Sequence, residues 1–202
     1  MRARAALAGV SMLLASVSAQ AGTVQVQVQD AGGKPLTDAV VFLESREARA
    51  LARPVLGAEM AQRGKQFEPS VLVVTAGSSV AFPNRDTVRH HVYSFSPAKT
   101  FELKLYSGVP ANPVLFDKTG IAVLGCNIHD AMTAWVVVVD TPYFGRSSAS
   151  GAVSMAQVAP GNYRLRVWHP ALAVGAPATD QALVVTAADQ SVNYRLAGVS
   201  GP

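Results

Sequence analysis

The sequence has 202 residues, of which half are hydrophobic, with a formal net charge of +4 at pH 7 and a single cysteine. This charge is too balanced to indicate nucleic-acid binding, and no cluster of Lys and Arg residues is found. One cysteine excludes an internal disulfide. The length suits one or two domains with a packed core.

The N-terminus has the pattern of a secretory leader. Two arginines precede an apolar stretch over residues 5–17, and small residues follow at Ala19-Gln20-Ala21. This pattern predicts a signal peptide over residues 1–21, cleaved after Ala21, and a periplasmic mature protein. The apolar stretch is too short to span a bilayer, and we expect no stable membrane insertion. Without the leader, 15 basic residues face 13 acidic ones, so the mature chain has a formal charge of +2.

Short strands separated by turns are predicted along most of the mature chain. Valine and glutamine alternate over residues 23–28, which indicates a half-exposed strand, and a second strand is predicted at 38–43. Residues 44–63 are richer in Ala, Arg and Glu, and we expect a short helix or a loop there. The later predicted strands are 71–74, 79–82, 91–95, 100–105, 120–124, 133–140, 153–155, 163–168, 183–185 and 192–196. Regular short strands predict an all-β sandwich or barrel.

The only cysteine opens a run of metal-binding side chains. Cys126, His129 and Met132 follow the spacing Cys-x2-His-x2-Met. Soft sulfur with borderline nitrogen is the donor set that selects copper, and blue-copper sites add a second histidine. His90 and His91 are the candidates. Since neighbouring strand residues face opposite ways, we expect only one of them to reach the metal.

The central segment resembles the cupredoxins. The runs Phe-Pro-Asn-Arg-Asp at 82–86, His-His-Val-Tyr-Ser at 90–94 and Gly-Cys-Asn-Ile-His-Asp at 125–130 carry the resemblance. It is closest to the plastocyanin/amicyanin branch and to exported methylamine-utilisation-type cupredoxin proteins. The resemblance implies a Greek-key cupredoxin sandwich that binds one type 1 copper ion.

The same resemblance implies a ligand set. His90, Cys126 and His129 would form the trigonal plane, and Met132 the weak axial contact. The family usually has Asn directly after the first histidine ligand, where it braces the cysteine loop, whereas this chain has His91. His91 could act as the brace or replace His90 as the ligand; the upstream spacing favours His90.

The two ends of the mature chain resemble the halves of a carboxypeptidase-regulatory-like, or transthyretin-like, β-sandwich. Gly-Thr-Val and Gly-Lys-Pro-Leu near the N-terminus and Ala-Pro-Gly-Asn-Tyr-Arg-Leu-Arg-Val in the tail carry this resemblance. It implies a split domain over 22–48 and 147–202, a linker at 49–61, and a copper domain inserted over 62–146. The alternative is a single large sandwich to which the ends add strands.

A type 1 copper site implies one-electron transfer between redox proteins, with a c-type cytochrome or a periplasmic dehydrogenase as donor or acceptor. His129 would be the exposed edge through which the electron leaves, and Ile128, Ala131 and Met132 would form a small apolar docking patch. The alternative is an envelope copper-binding or sequestering protein without a shuttle role. Copper oxidases and reductases need further copper centres, whereas this chain has four histidines and no His-x-His pair, so we expect no enzyme.

For the other residues considered, either two interpretations remain open or a structural or surface role is expected. Asp86 and Asp130 could support the histidines or be solvated loop carboxylates. Tyr93 and Trp135 lie on strand patterns, and we expect core packing for both rather than a role as electron relays. His169, far along the chain, is expected to be structural or exposed.

Overall fold

The computed structural model describes residues 21–199, about half of which lie in strands, with one short helix. The strands are β1 Gly22–Asp30, β2 Val40–Glu44, β3 Ala58–Glu59, β4 Ala61–Arg63, β5 Gln66–Glu68, β6 Val71–Thr75, β7 Ser78–Ala81, β8 His90–Ser96, β9 Lys99–Tyr106, β10 Val114–Phe116, β11 Gly120–Cys126, β12 Thr133–Val139, β13 Phe144–Arg146, β14 Ala152–Val158, β15 Gly161–Trp168, β16 Thr179–Val185 and β17 Gln190–Leu196. Helix α1, Arg46–Leu51, is capped by Ser45, whose hydroxyl accepts a hydrogen bond from Ala48 N at 3.0 Å. The predicted all-β class is confirmed.

A five-stranded and a three-stranded sheet enclose the central core. The larger sheet has the order β6-β12-β11-β8-β9, and the smaller has the order β10-β7-β3. Side chains of both sheets, among them Val80, Val92, Phe116 and Leu124, pack in one buried cluster. Cys126 belongs to this cluster, so the only thiol of the chain lies at the edge of an apolar core.

Strand β12 of the five-stranded sheet is buried on both of its faces. Its run of four valines alternates between two apolar environments: Val136 and Val138 face the central core, whereas Val137 and Val139 join a second cluster on the other side. A strand buried on both faces is expected to be continuously apolar, and β-branched valine suits the extended backbone.

The first and last strands of the chain build a second pair of sheets. Strand β1 lies between β14, its antiparallel neighbour, and β17, its parallel neighbour, in the order β14-β1-β17. The other sheet has the order β13-β2-β15-β16. Val24, Val26 and Val28 of β1 are buried in the core between these sheets while the intervening glutamines are not, as the sequence pattern predicted.

A small apolar cluster joins the central sheets to the terminal ones. Val71 and Val137 of the five-stranded sheet pack with Phe42 and Trp168 of the neighbouring sheet. Trp168 also contacts Trp135, with ring centroids 6.2 Å apart. The central pair of sheets and the terminal pair therefore each have their own core, and the contact between the two pairs is made by the outer faces of two sheets.

Several elements differ from the sequence prediction. The segment predicted as a linker at 49–61 contains β3, which pairs with β7 of the central sheets. Strand β13, placed by prediction inside the 62–146 copper domain, pairs with β2 instead. These strands have two or three residues and no alternating pattern, so only their pairing partners reveal them.

The signal-peptide prediction covers residues 1–21, and residues 1–20 lie outside the described part of the chain. The described residues contain no helix with the length and hydrophobicity that crossing a bilayer requires.

Candidate metal centre

Two neighbouring strands bring the first histidine to the cysteine. His90 is the first residue of β8, and Cys126 is the last residue of β11. The two strands are antiparallel and pair Cys126 with Val92 and Gly125 with Tyr93. The start of one strand therefore meets the end of the other, and two residues that are 36 positions apart share one end of the sheet.

Three donor atoms converge at this end of the sheet. Cys126 Sγ lies 3.7 Å from His90 Nδ1 and 3.8 Å from His129 Nδ1. All three atoms lie within 4.8 Å of one another. His90 is fully buried, Cys126 is 3% exposed and His129 is half-buried. The site thus has a buried side, which excludes water, and one imidazole that reaches the surface.

Two turns hold the loop that carries His129. His129 N donates to Cys126 O at 3.4 Å, and Met132 N donates to His129 O at 2.9 Å. The chain then enters β12 at Thr133, antiparallel to β11. Because the loop is short and its main chain is bonded to itself, His129 is positioned by the backbone before any ion binds.

Asp86 fixes the orientation of the buried histidine. Its Oδ2 lies 2.7 Å from His90 Nε2 and also accepts a hydrogen bond from Lys65 N at 2.9 Å, while Oδ1 accepts one from Gly64 N at 2.6 Å. A carboxylate acceptor at Nε2 places the ring proton there and leaves the Nδ1 lone pair directed at the sulfur. Such carboxylate–histidine pairs are common behind metal ligands.

The pKa of Asp86 is set by opposing effects. Burial by itself would raise the pKa of this carboxyl, but the hydrogen bonds from Lys65, His90 and Gly64, together with the positive charge that His90 can carry, outweigh it and the pKa is lowered. Asp86 is therefore an anion at neutral pH, although its side chain is only 13% exposed. Of the two interpretations that the sequence left open, the structure selects the supporting role for Asp86; Asp130 is exposed.

A second layer of polar residues holds the Asp86 loop. Asn84 Oδ1 accepts from Asp86 N at 2.9 Å, and Asn84 Nδ2 donates to Val88 O at 2.8 Å and to Tyr106 O at 2.9 Å. Tyr106 Oη lies 2.6 Å from Oε1 of the fully buried Gln62, and burial raises the pKa of that phenol. Neither Tyr106 nor Gln62 is predicted from the sequence, because both come from other strands. A buried polar network of this kind fixes one loop conformation.

His90 and His91 point to different environments. His91 Nε2 lies 2.8 Å from Glu102 Oε1 on the neighbouring strand β9, and His91 is not among the three converging residues. A shift of register between His90 and Val92 in the β8–β9 pair accompanies this separation. The side chain of His91 does not brace the cysteine loop either. Its carbonyl oxygen does, by accepting from Asn127 N at 3.2 Å.

The remaining predicted residues divide between core and surface. Met132 is 2% exposed and packs in the same buried cluster as Cys126, so it is wrong to count it in an exposed docking patch; Ile128 and Ala131 are exposed. Tyr93 and Trp135 are half-buried on the outer face of the sheet; Trp135 packs against the small cluster that joins the central and terminal sheets, in line with the expected core packing, whereas Tyr93 lies outside the three buried clusters. The reason is strand alternation, which predicts that two faces differ but not which one is covered.

The donor set fits a metal ion with affinity for soft ligands. The thiol is shielded from solvent, and each imidazole presents Nδ1 to it. Two histidine nitrogens and a cysteine sulfur are the trigonal donors of type 1 copper sites. When bound there, copper would supply reversible one-electron chemistry.

No protein-family model and no curated protein matches the chain. Among solved structures it is similar to a purple cupredoxin from Nitrosopumilus maritimus, with 19% identity over 41% of this chain and 99% of that chain and a TM-score of 0.37. It is similar to a reduced mutant of amicyanin, with 24% identity over 49% of this chain and 98% of that chain and a TM-score of 0.37. A third is the Cu-containing nitrite reductase NirK from Thermus scotoductus SA-01, with 25% identity over 45% of this chain and 26% of that chain and a TM-score of 0.40. All three matches cover less than half of this chain.

Proposed function

We propose that the chain binds one copper ion and transfers single electrons between redox proteins of the periplasm. His90, Cys126 and His129 would hold the ion, and Met132 would be its weak axial ligand. The observation that carries the proposal is the convergence of two imidazole Nδ1 atoms on a buried thiol, within 4.8 Å of one another. Met132 adds a thioether to the loop that begins at the thiol.

The surrounding residues suit a site that changes its charge without changing its shape. Electron transfer is fast when the ligands move little between the two oxidation states. His90 is held by Asp86, Cys126 by the sheet, and His129 by two main-chain hydrogen bonds. The buried side of the site keeps water from the sulfur, and burial and hydrogen bonding near a ligand tune the reduction potential.

The half-buried His129 is the proposed contact for partners. Ile128 is 45% exposed and Ala131 is exposed, so the loop that carries His129 presents a small apolar surface. Transient redox partners typically use small contact areas. A c-type cytochrome or a periplasmic dehydrogenase is the proposed donor or acceptor. A link to methylamine utilisation stays a prediction of the sequence resemblance.

The arrangement of the sheets supports a proposal about the domains as well. The strands of the central sheets lie between residues 58 and 139, and the terminal strands pair with one another around them. We therefore keep the split carboxypeptidase-regulatory-like sandwich with an inserted copper domain as the proposed organisation, with β13 reassigned to the split sandwich.

Metal analysis and spectroscopy of protein purified from a periplasm test the proposed function. We expect one copper per chain, an intense visible thiolate-to-copper absorption band, and loss of that band with a folded protein after Cys126→Ser. Electron self-exchange measured by NMR line broadening should be fast. A colourless Cu(II) form or a zinc-only protein would contradict the proposal. A coloured protein with slow self-exchange would instead favour the sequestering role.

A further inference from the structure

An apolar groove of about 670 Å³ lies on the side of the five-stranded sheet that faces away from the central core. Its floor is the outer face of β8, β11 and β12, and the loop after β15, residues 172–177, forms the opposite wall. Four aromatic side chains line it: Tyr93, Phe95, Trp135 and Trp168. Grooves of this size between packed units are where proteins most often bind small molecules.

The groove is an uncovered apolar surface, not a part of either core. Phe95 is 74% exposed and Val174, on the opposite wall, is 88% exposed. Tyr93, Val123 and Trp135 on the floor are half-buried. Large apolar side chains left exposed in one concave place are unfavourable in water unless something binds there.

One cation lines this groove. Lys118 is the only charged residue among the described residues that line it. Lys118 is exposed and its Nζ donates to Pro97 O at 3.1 Å, which orients the ammonium group and leaves two of its three donors for a ligand. The carboxylate of the preceding residue, Asp117, lies 3.5 Å from Lys99 Nζ, so another cation balances its charge.

We propose that the groove binds a small molecule with an apolar, aromatic body and one anionic group. The body would lie against Tyr93, Phe95 and Trp135, and the anion would pair with Lys118. The charge complementarity selects an amphiphilic anion over a neutral apolar molecule or a second copy of this chain. The site is separate from the metal centre, because Gly125 lines the groove whereas the next residue, Cys126, faces the core on the other side of β11.

The chain carries its own reporter for this site. It has two tryptophans, and both line the groove. The experiment titrates metal-free protein with the anionic dye anilinonaphthalene sulfonate and, in parallel, with the neutral phenylnaphthylamine, while tryptophan emission is recorded. We expect saturable quenching with one dye per chain and tighter binding of the anionic dye.

Two lysine variants distinguish dye binding in the groove from nonspecific dye binding elsewhere on the surface. Lys118→Gln should weaken the anionic dye about fivefold, the range of a partly exposed ion pair, and leave the neutral dye unchanged. Lys104→Gln is the matched control, because Lys104 is 80% exposed and is not among the lining residues. Equal effects of the two variants, equal loss of both dyes, or non-saturable quenching would overturn the proposal. The proposal would also be overturned if light scattering detected a dimer and formation of this dimer, without any dye, buried the tryptophans. Because no metal is present, a failed copper assay leaves this result unaffected.

Discussion

Replacing Asp86 by asparagine keeps the shape of the side chain and removes its charge. The carboxylate accepts three hydrogen bonds, from Gly64 N, Lys65 N and His90 Nε2. An amide has only one oxygen. If that oxygen faces Lys65 and His90, the amide nitrogen faces the Gly64 N–H group. If it faces Gly64, the amide donates to His90 Nε2, and the ring proton moves to Nδ1, the atom directed at Cys126.

In either orientation of the amide, at least one hydrogen bond to the charged carboxylate is lost. A hydrogen bond to a charged group contributes about 1.5–3 kcal/mol, and Asp86→Asn loses at least one of them. We therefore expect the metal-free variant to unfold with a free energy lower by about 2 kcal/mol. Loss of the carboxylate behind a ligating histidine typically weakens metal binding about 10–100-fold, and the change of tautomer acts in the same direction.

Competition with a copper chelator measures the affinity, and urea unfolding of the metal-free protein measures the stability. Asp130→Asn is the matched control, since Asp130 follows His129 directly but is exposed. It should change neither quantity appreciably. Unchanged copper affinity in Asp86→Asn, with Asp130→Asn behaving identically, would refute the orienting role of Asp86.

The same carboxylate gives the stability a pH dependence. The pKa of Asp86 is lowered in the folded protein from its ordinary value of 3.8, so its contribution is fully present above that value. The contribution is lost as the pH falls from 3.8 through the lowered folded value, because the unfolded chain binds the proton first. The difference in unfolding free energy between wild type and Asp86→Asn should therefore shrink over this acidic range; a constant difference would contradict the assignment.

Four further substitutions test the fold and the ligand choice. His91→Gln should leave copper affinity unchanged, because His91 faces Glu102; loss of binding in a chelator competition would make His91 the ligand. Phe116→Ala empties a fully buried position and should lower the free energy of unfolding in urea by about 3–5 kcal/mol, with a value below 1 kcal/mol inconsistent with its place in the core. Gly33→Ala should cost about 1–2 kcal/mol because Gly33 has a positive φ of 88° in open space. Gly151→Ala should cost more, about 2–5 kcal/mol, since its Cβ would also overlap the carbonyl oxygen of Val28; equal melting temperatures of the two variants would refute the overlap.

The residues of the candidate metal site were more predictable from the sequence than the residues that hold them in place. Cys126, His129 and Met132 lie on one short loop, so their spacing alone predicts that they share a site. The upstream spacing favours His90 over His91, but the sequence does not show which of the two side chains faces the thiol, because a register shift interrupts the strand there. Asp86 could not be assigned either, since it lies on an irregular loop where no periodicity fixes the direction of a side chain.

The fold was predictable where strands are long and patterned. The alternation in β1 and the valine run of β12 identify both strands from local sequence alone. Strand β13 has three residues, one of them Gly145, and is a strand only because it pairs with β2, about a hundred residues earlier in the chain. Pairing over that distance leaves no local signal.

The position of β1 between β14 and β17 has a consequence for the order of folding. Thr23 N donates to Asp189 Oδ1 across 166 residues, so β1 lacks its parallel neighbour β17 until almost the whole chain has been made, and its antiparallel neighbour β14 begins only at Ala152. The pairs of the five-stranded sheet span far shorter loops, and contacts of low sequence separation form faster. The metal-binding sheets should therefore close while β1 is still unpaired. A chain truncated before β17 would keep its cysteine and histidines together while exposing the edge of β1 to other chains.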